Sequence, residues 1–174
     1  GLVAFSQKAI AWIDNEYPGV VFISSSPDFI EVKTFVVHQS SLRQLAFSTD
    51  GEILVTASVR GTVIRCFSVD DGEKKYEFRR GFTGNDILCL AASKSFVCAC
   101  TKTSLHIFTF DNDHITYAID KTPLACQFFG EEIQVVFKEG VICSYAINPE
   151  QRCCTLNRQQ PLLTASHLTR RGSD

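Results

Sequence analysis

The chain has 174 residues, of which 45% are hydrophobic, and it carries a formal net charge of −2. This length fits one domain, or a piece of a larger one, with enough apolar material for a core. The slight negative charge excludes a general attraction to nucleic acid or acidic lipid, so any anion-binding site must be a local cluster. No stretch approaches the roughly 18 continuous apolar residues of a transmembrane helix, and no signal peptide is recognisable. Because the first residue is glycine rather than methionine, we expect a fragment of a longer protein.

One apolar pattern recurs four times and predicts the fold. Its copies, LVAFS, LRQLAFS, ILCLAAS and LACQFFG, end at Ser6, Ser48, Ser93 and Gly130, with offsets of 42, 45 and 37 residues. Such a period is typical of WD-type propeller blades, and three more strand-like runs separated by turn residues follow each copy. We therefore predict an all-β, WD-type β-propeller, partial, with about four four-stranded blades. The predicted blades are residues 1–37, 38–81, 82–120 and 121–157, and a polar tail follows at 158–174.

Eight cysteines stand mostly inside apolar runs, without any CxxC spacing. Zinc sites usually draw on closely spaced Cys or His pairs in turns, and this pattern is missing here. We therefore expect buried, reduced thiols without a disulfide or a bound metal, which favours a cytosolic protein. The cysteines are Cys66, Cys89, Cys98, Cys100, Cys126, Cys143, Cys153 and Cys154.

The stretch KKYEFRRGF, residues 74–82, alternates like a strand and then ends in two arginines and a glycine. Successive side chains of a strand point to opposite faces, so Arg79 and Arg80 would serve two different clefts. Each guanidinium offers a planar fork that matches phosphate oxygens. Alternatively, the two charges protect an edge strand from pairing with another chain. The residues alone leave both interpretations open.

The segment from His38 to Gly81, HQSSLRQLAFSTDGEILVTASVRGTVIRCFSVDDGEKKYEFRRG, resembles the signature blade of the PROPPIN family. These proteins are seven-bladed, phosphoinositide-binding propellers of autophagy, and the resemblance continues through SLHIF at residues 104–108. It implies two headgroup sites, one around each arginine. The first would comprise Arg79, His38, Ser58, Thr62 and Arg65, and the second Arg80, Ser104 and His106.

Other roles for several of these side chains stay open, and the sequence departs from the family pattern in two segments. Ser58 and Thr62 could simply stabilise turns, and His106 could be an ordinary strand residue. In CTKTSLHIF, Cys100 and Thr103 stand where the family usually has serine and glycine. The connection at residues 110–114, FDNDH, is short and acidic where the family has a long apolar loop, so we expect no membrane insertion there.

The sequence contains no GxSxG elbow, no glycine-rich phosphate loop and no HExxH. We therefore predict a non-enzymatic protein without a cofactor. The resemblance implies that it binds phosphatidylinositol 3-phosphate or the 3,5-bisphosphate. The resemblance implies a cytoplasmic protein that is peripheral on phagophore, endosomal or vacuolar membranes and has an autophagy protein as partner. We expect no nucleic-acid binding and no transmembrane segment. The alternative is a WD-repeat scaffold that binds proteins only.

Overall fold

The computed structural model describes residues 2–162, which form sixteen strands in four antiparallel sheets. Each sheet is a meander of four consecutive strands, so the four predicted four-stranded blades are confirmed. Within these residues the structure contains no helix with the length and hydrophobicity of a membrane span. The strands are β1 Val3–Phe5, β2 Ala9–Trp12, β3 Val20–Ser25, β4 Val32–Val36, β5 Leu42–Phe47, β6 Ile53–Ser58, β7 Val63–Ser68, β8 Lys74–Arg79, β9 Cys89–Ala92, β10 Phe96–Cys100, β11 Ser104–Thr109, β12 His114–Ala118, β13 Pro123–Phe129, β14 Glu132–Phe137, β15 Val141–Asn148 and β16 Cys153–Pro161.

We call β1–β4 the first blade, β5–β8 the second, β9–β12 the third and β13–β16 the fourth. The innermost strands β1, β5, β9 and β13 lie side by side in chain order. Together they line one central cleft of about 360 Å³. This arrangement leaves the edges and connections of neighbouring blades next to each other, where side chains from two blades can form a common site.

The core consists of three apolar layers, one between each pair of neighbouring blades. Strand alternation sends successive side chains into different layers: Leu54 packs towards the first blade, whereas Val55 packs towards the third. Buried strands therefore read as continuous apolar runs rather than as an alternation with polar residues. The outward face of the first blade has no such layer, and Phe5 and Val36 there are 68% and 79% exposed.

The fourth blade extends further than the sequence predicts. The boundary predicted at residue 157 falls inside β16, which pairs with β15 as far as Pro161. The polar run NRQQ resembles a tail, but an edge strand can expose both faces to water and still donate ladder hydrogen bonds. Residues 163–174 of the predicted tail lie outside the described residues.

Candidate anion-binding clefts

The first cleft lies at one end of the second blade and has a volume of about 100 Å³. His38 reaches it from the connection before β5, Ser58 from the end of β6, Thr62 from the β6–β7 turn and Arg65 from β7. The structure thus brings together four residues that the sequence analysis assigned to one site. The other lining residues are Gln39, Ser40, Arg60 and Val63. Arg60, an exposed second cation, was not among the predicted residues.

Arg65 is held in this cleft by three contacts. Its Nη1 donates to the carbonyl of Val37 at 2.9 Å and lies 3.5 Å from Nδ1 of His38, and its Nε donates to Oε2 of Glu77 at 2.9 Å. Glu77 also accepts a hydrogen bond from Lys74 at 2.9 Å. The Lys74 and Arg65 bonds keep the pKa of Glu77 below its usual value. Arg65 is therefore oriented before any ligand arrives, but its charge is partly neutralised by Glu77.

His38 is a buried, neutral member of the same cleft. Burial, and then the nearby charge of Arg65, lower the pKa of His38 to about 4. Its Nε2 lies 3.0 Å from Oγ1 of Thr56, whose hydroxyl donates to the carbonyl of Arg65 at 3.3 Å. Because the guanidinium can only donate, this pattern places the imidazole proton on Nε2. His38 thus supports Arg65 and Thr56 in the free protein.

The two arginines of FRRG occupy different surroundings. Arg79, the last residue of β8, is exposed, and its guanidinium carbon lies 5.5 Å from the ring centroid of Phe82. In the register it stands opposite Val63, which lines the first cleft. The resemblance assigns Arg79 to the first site, but Arg79 is not among the residues that line this cleft. Arg79 would have to reach a bound headgroup from the rim.

Arg80, in contrast, is tied to the backbone between the second and third blades. Its Nε donates to the carbonyl of Gly61 at 2.6 Å, and its Nη2 donates to the carbonyl of Thr83 at 2.7 Å. Gly61 has φ of 61°, and a Cβ there would lie 1.9 Å from the carbonyl oxygen of Asn85. Only glycine permits this close approach. The contacts leave three of the five N–H groups of Arg80 for an anion.

Next to Arg80, a chain of hydrogen bonds runs along the third blade. Oγ of Ser104 lies 2.9 Å from Nε2 of His106, whose Nδ1 lies 3.1 Å from Nε2 of His114. Oγ1 of Thr101 extends the chain at one end, 2.9 Å from Oγ of Ser104, and Oγ1 of Thr116 extends it at the other, 3.3 Å from Nε2 of His114. The predicted residues Ser104 and His106 are therefore neighbours here.

Both histidines of this hydrogen-bonded series have lowered pKa values, which favours their uncharged forms near neutral pH. Burial, followed by the proximity of His114 and of Arg80, lowers the pKa of His106 to about 4. Burial and Arg80 also lower the pKa of His114. The charge of Arg80 disfavours protonation of both rings, which lie in hydrogen-bond contact at 3.1 Å. His114 was missed by the sequence analysis, although its position eight residues after His106, across a short connection, is typical of cross-strand neighbours.

The short connection between β11 and β12 points its aromatic residue inwards. The ring centroid of Phe110 lies 4.5 Å from that of Tyr76 and 6.1 Å from that of Phe78. Asp113 pairs with Arg152 of the fourth blade at 2.7 Å. The expectation that this segment does not enter lipid remains a prediction, and the packing of Phe110 agrees with it.

A family model described as PROPPIN matches residues 3–133. Autophagy-related protein 18 of Komagataella pastoris is 40% identical over 98 residues, which are 55% of this chain and 18% of that protein. WD repeat domain phosphoinositide-interacting protein 1 of Homo sapiens is 34% identical over 110 residues, which are 61% of this chain and 25% of that protein. The matched segments thus span only 18% and 25% of these relatives' own length.

Solved structures share the fold. Hsv2 of Kluyvelomyces marxianus superposes with a TM-score of 0.77 at 20% identity, over 94% of this chain and 60% of that one. A complex of KlAtg21 with the coiled-coil of AgAtg16 superposes with a TM-score of 0.70 at 20% identity, over 92% of this chain and 57% of that one. At these identities the superpositions establish the propeller architecture alone.

Proposed function

This chain belongs to the PROPPIN family, and we propose that it binds the headgroup of phosphatidylinositol 3-phosphate or the 3,5-bisphosphate. One relative is named phosphoinositide-interacting and another autophagy-related. The protein would be recruited from the cytoplasm to phagophore, endosomal or vacuolar membranes. There it would act as a scaffold for an autophagy protein, by binding rather than by catalysis.

The observation that carries this proposal is the pair of donor clusters on either side of the end of β8. Each combines a guanidinium held by backbone carbonyls with imidazole and hydroxyl groups. Guanidinium groups supply the charge and the fork geometry for phosphate oxygens, and hydroxyls can donate to phosphate and inositol oxygens. Two such clusters on one rigid body would bind two headgroups in the same membrane, so that their weak affinities reinforce each other.

In the first cleft, we propose that Arg65 and Arg60 attract the phosphate, while Ser58 and Thr62 donate to its oxygens. Arg79 would close over the headgroup from the rim. The phosphate would compete with Glu77 for Arg65, because both are anions. Phosphate binding at this site would therefore weaken the existing ion pair between Arg65 and Glu77.

In the second cluster, Arg80 would provide the charge, and Ser104 and His106 the neighbouring donors. The neutral imidazole of His106 can donate from one nitrogen only. An incoming phosphate favours the protonated form of a nearby histidine and raises its pKa. The His106–His114 pair is therefore able to take up a proton as the anion binds.

A protein-binding scaffold without lipid affinity is the second candidate, and one observation favours it. Phe110 packs against Tyr76 and Phe78, so the segment 110–114 offers no exposed apolar side chain for insertion into a bilayer. Under this alternative, the arginine charges would only protect the edge of β8.

Vesicle co-flotation of the complete protein separates the two candidates. The variants are Arg79→Ala, Arg80→Ala and the double substitution, with Arg43→Ala as control because Arg43 is an exposed arginine on β5. Charge-assisted hydrogen bonds contribute roughly 1.5–3 kcal/mol, so each single change should weaken its own site about tenfold or more. The double change should abolish flotation with vesicles containing phosphatidylinositol 3-phosphate, and higher salt should weaken it in the parent. Equal flotation of all variants would leave the scaffold candidate.

A further inference from the structure

Four cysteines from three strands meet between the third and fourth blades. Cys89 lies on β9, Cys98 and Cys100 lie on β10, and Cys126 lies on β13. The Sγ atoms of Cys89, Cys100 and Cys126 all lie within 4.8 Å of one another. Sγ of Cys98 lies 3.9 Å from that of Cys100. We call these four residues the thiol cluster.

The topology explains why these thiols converge. Cys89 and Cys100 stand opposite each other in the antiparallel register of β9 and β10. Cys98 lies two residues before Cys100, so strand alternation places both on the same face. That face packs on the fourth blade, whose innermost strand contributes Cys126. The surroundings are apolar, and Leu105 and Phe128 belong to the same core layer.

From this geometry we propose that the thiol cluster binds one soft cation, Zn²⁺ being the physiological candidate. Sulfur-only donor sets select thiophilic ions such as Zn²⁺ and exclude Mg²⁺ and Ca²⁺, which require oxygen ligands. A tetrahedral zinc with bonds of about 2.3 Å separates its sulfur ligands by about 3.8 Å. The separations among Cys89, Cys100 and Cys126 are therefore within about 1 Å of those in a closed site, and Cys98, whose Sγ lies 3.9 Å from that of Cys100, would supply the fourth ligand. Each coordinating thiol releases its proton to the solvent, and no oxidation state changes.

An ion can reach the cluster through Cys126. This residue is only half-buried, whereas Cys89, Cys98 and Cys100 are buried. Cys126 lines the central cleft and also a second cleft of about 250 Å³ on the open face of the fourth blade. Once bound, the ion would connect β13 to β9 and β10, and would thereby link the third and fourth blades across their apolar core layer.

This proposal replaces the expectation of a metal-free protein, which rested on sequence spacing. Cys89, Cys98, Cys100 and Cys126 are separated by intervals unlike those of zinc ligands on turns. The cluster depends on a strand pairing and on the packing of one blade against the next. Neither is visible in a search for closely spaced cysteines.

The test uses the complete protein after reduction and removal of metal, with Co²⁺ as a spectroscopic probe. We expect one equivalent to give the thiolate charge-transfer and ligand-field bands of tetrahedral cobalt, and Zn²⁺ to displace it. Cys126→Ser should lower the cobalt affinity at least about tenfold, which is the scale of losing a supporting group at a metal site. Cys66→Ser, at a buried thiol in another core layer, should leave it unchanged. Absent bands, or equal effects of both variants, would overturn the proposal.

A second measurement does not depend on whether the variants fold. In the unmodified protein, Zn²⁺ should slow the alkylation of Cys126, read by mass spectrometry, far more than that of Cys153. Cys153 is the matched control because it is also half-buried. Equal alkylation rates of Cys126 with and without Zn²⁺ would show that the thiols only fill the core.

Discussion

Replacing each arginine of the FRRG motif by lysine isolates the role of backbone positioning. Lysine retains the positive charge, but it carries one nitrogen instead of a planar fork. At position 80 a single ammonium nitrogen would have to replace both Nε and Nη2, which donate to the carbonyls of Gly61 and Thr83. Its three N–H groups would leave at most one for a phosphate, whereas Arg80 leaves three. At position 79 the guanidinium makes a cation–π contact with Phe82, which is 90% exposed.

The expected losses differ by an order of magnitude. Losing one charge-assisted hydrogen bond costs roughly 1.5–3 kcal/mol, so Arg80→Lys should weaken its headgroup site about 10- to 150-fold. An exposed cation–π contact contributes about 0.5–1 kcal/mol, and Arg79→Lys should weaken its site only about two- to fivefold.

Calorimetry with a short-chain, soluble phosphatidylinositol 3-phosphate measures each site without the contribution of avidity. Urea unfolding of both variants controls for a change in stability. If Arg80→Lys and Arg79→Lys lose the same small factor, the backbone contacts of Arg80 do not prepare it for binding, and the reasoning is refuted.

Three further predictions concern the surroundings of the two sites. Glu77→Gln should tighten the first site by up to about fivefold in calorimetry, because a solvent-accessible ion pair such as that with Arg65 is worth about 0.2–1 kcal/mol; a weaker site would contradict the proposed competition. His38 and His106 have pKa values of about 4 in the folded protein and about 6.5 when unfolded, so the unfolded state binds more protons. The free energy of unfolding should therefore fall between pH 7.5 and 5, by up to about 2 kcal/mol for each histidine, and denaturant titrations of His38→Gln should show a smaller fall. Asp111→Trp should show no blue shift of its fluorescence with phosphoinositide vesicles, and a clear shift would mean that the segment enters lipid.

The strands were predictable because the apolar runs of this sequence coincide with its buried strands. LRQLAFS and ILVTASV predict β5 and β6, and both lie where the pattern places them. The end of β16 was not predictable in the same way. Arg158 and Gln160 are exposed, and their place in a strand depends on pairing with β15 rather than on a core-facing pattern.

The candidate sites were predictable only in part. Ser104 and His106 were nominated through the family motif, whereas His114 depends on the β11–β12 register, which sets Phe108 opposite His114. The attachment of Arg80 likewise depends on the left-handed turn at Gly61, which directs a carbonyl towards the next blade. Such features arise from hairpin register and blade packing, and sequence motifs alone do not reveal either of these.

The meander topology has a consequence for how the protein is made. Every sheet is complete once four consecutive strands have left the ribosome. At about 5–20 residues per second, a blade of about 40 residues needs several seconds for synthesis, whereas hairpins form in microseconds. A blade can therefore close its hydrogen-bond ladders before the next one exists. The apolar layer between two blades can form only after the second blade has been synthesised. Until then the nascent chain exposes one apolar blade face, to which chaperones can bind.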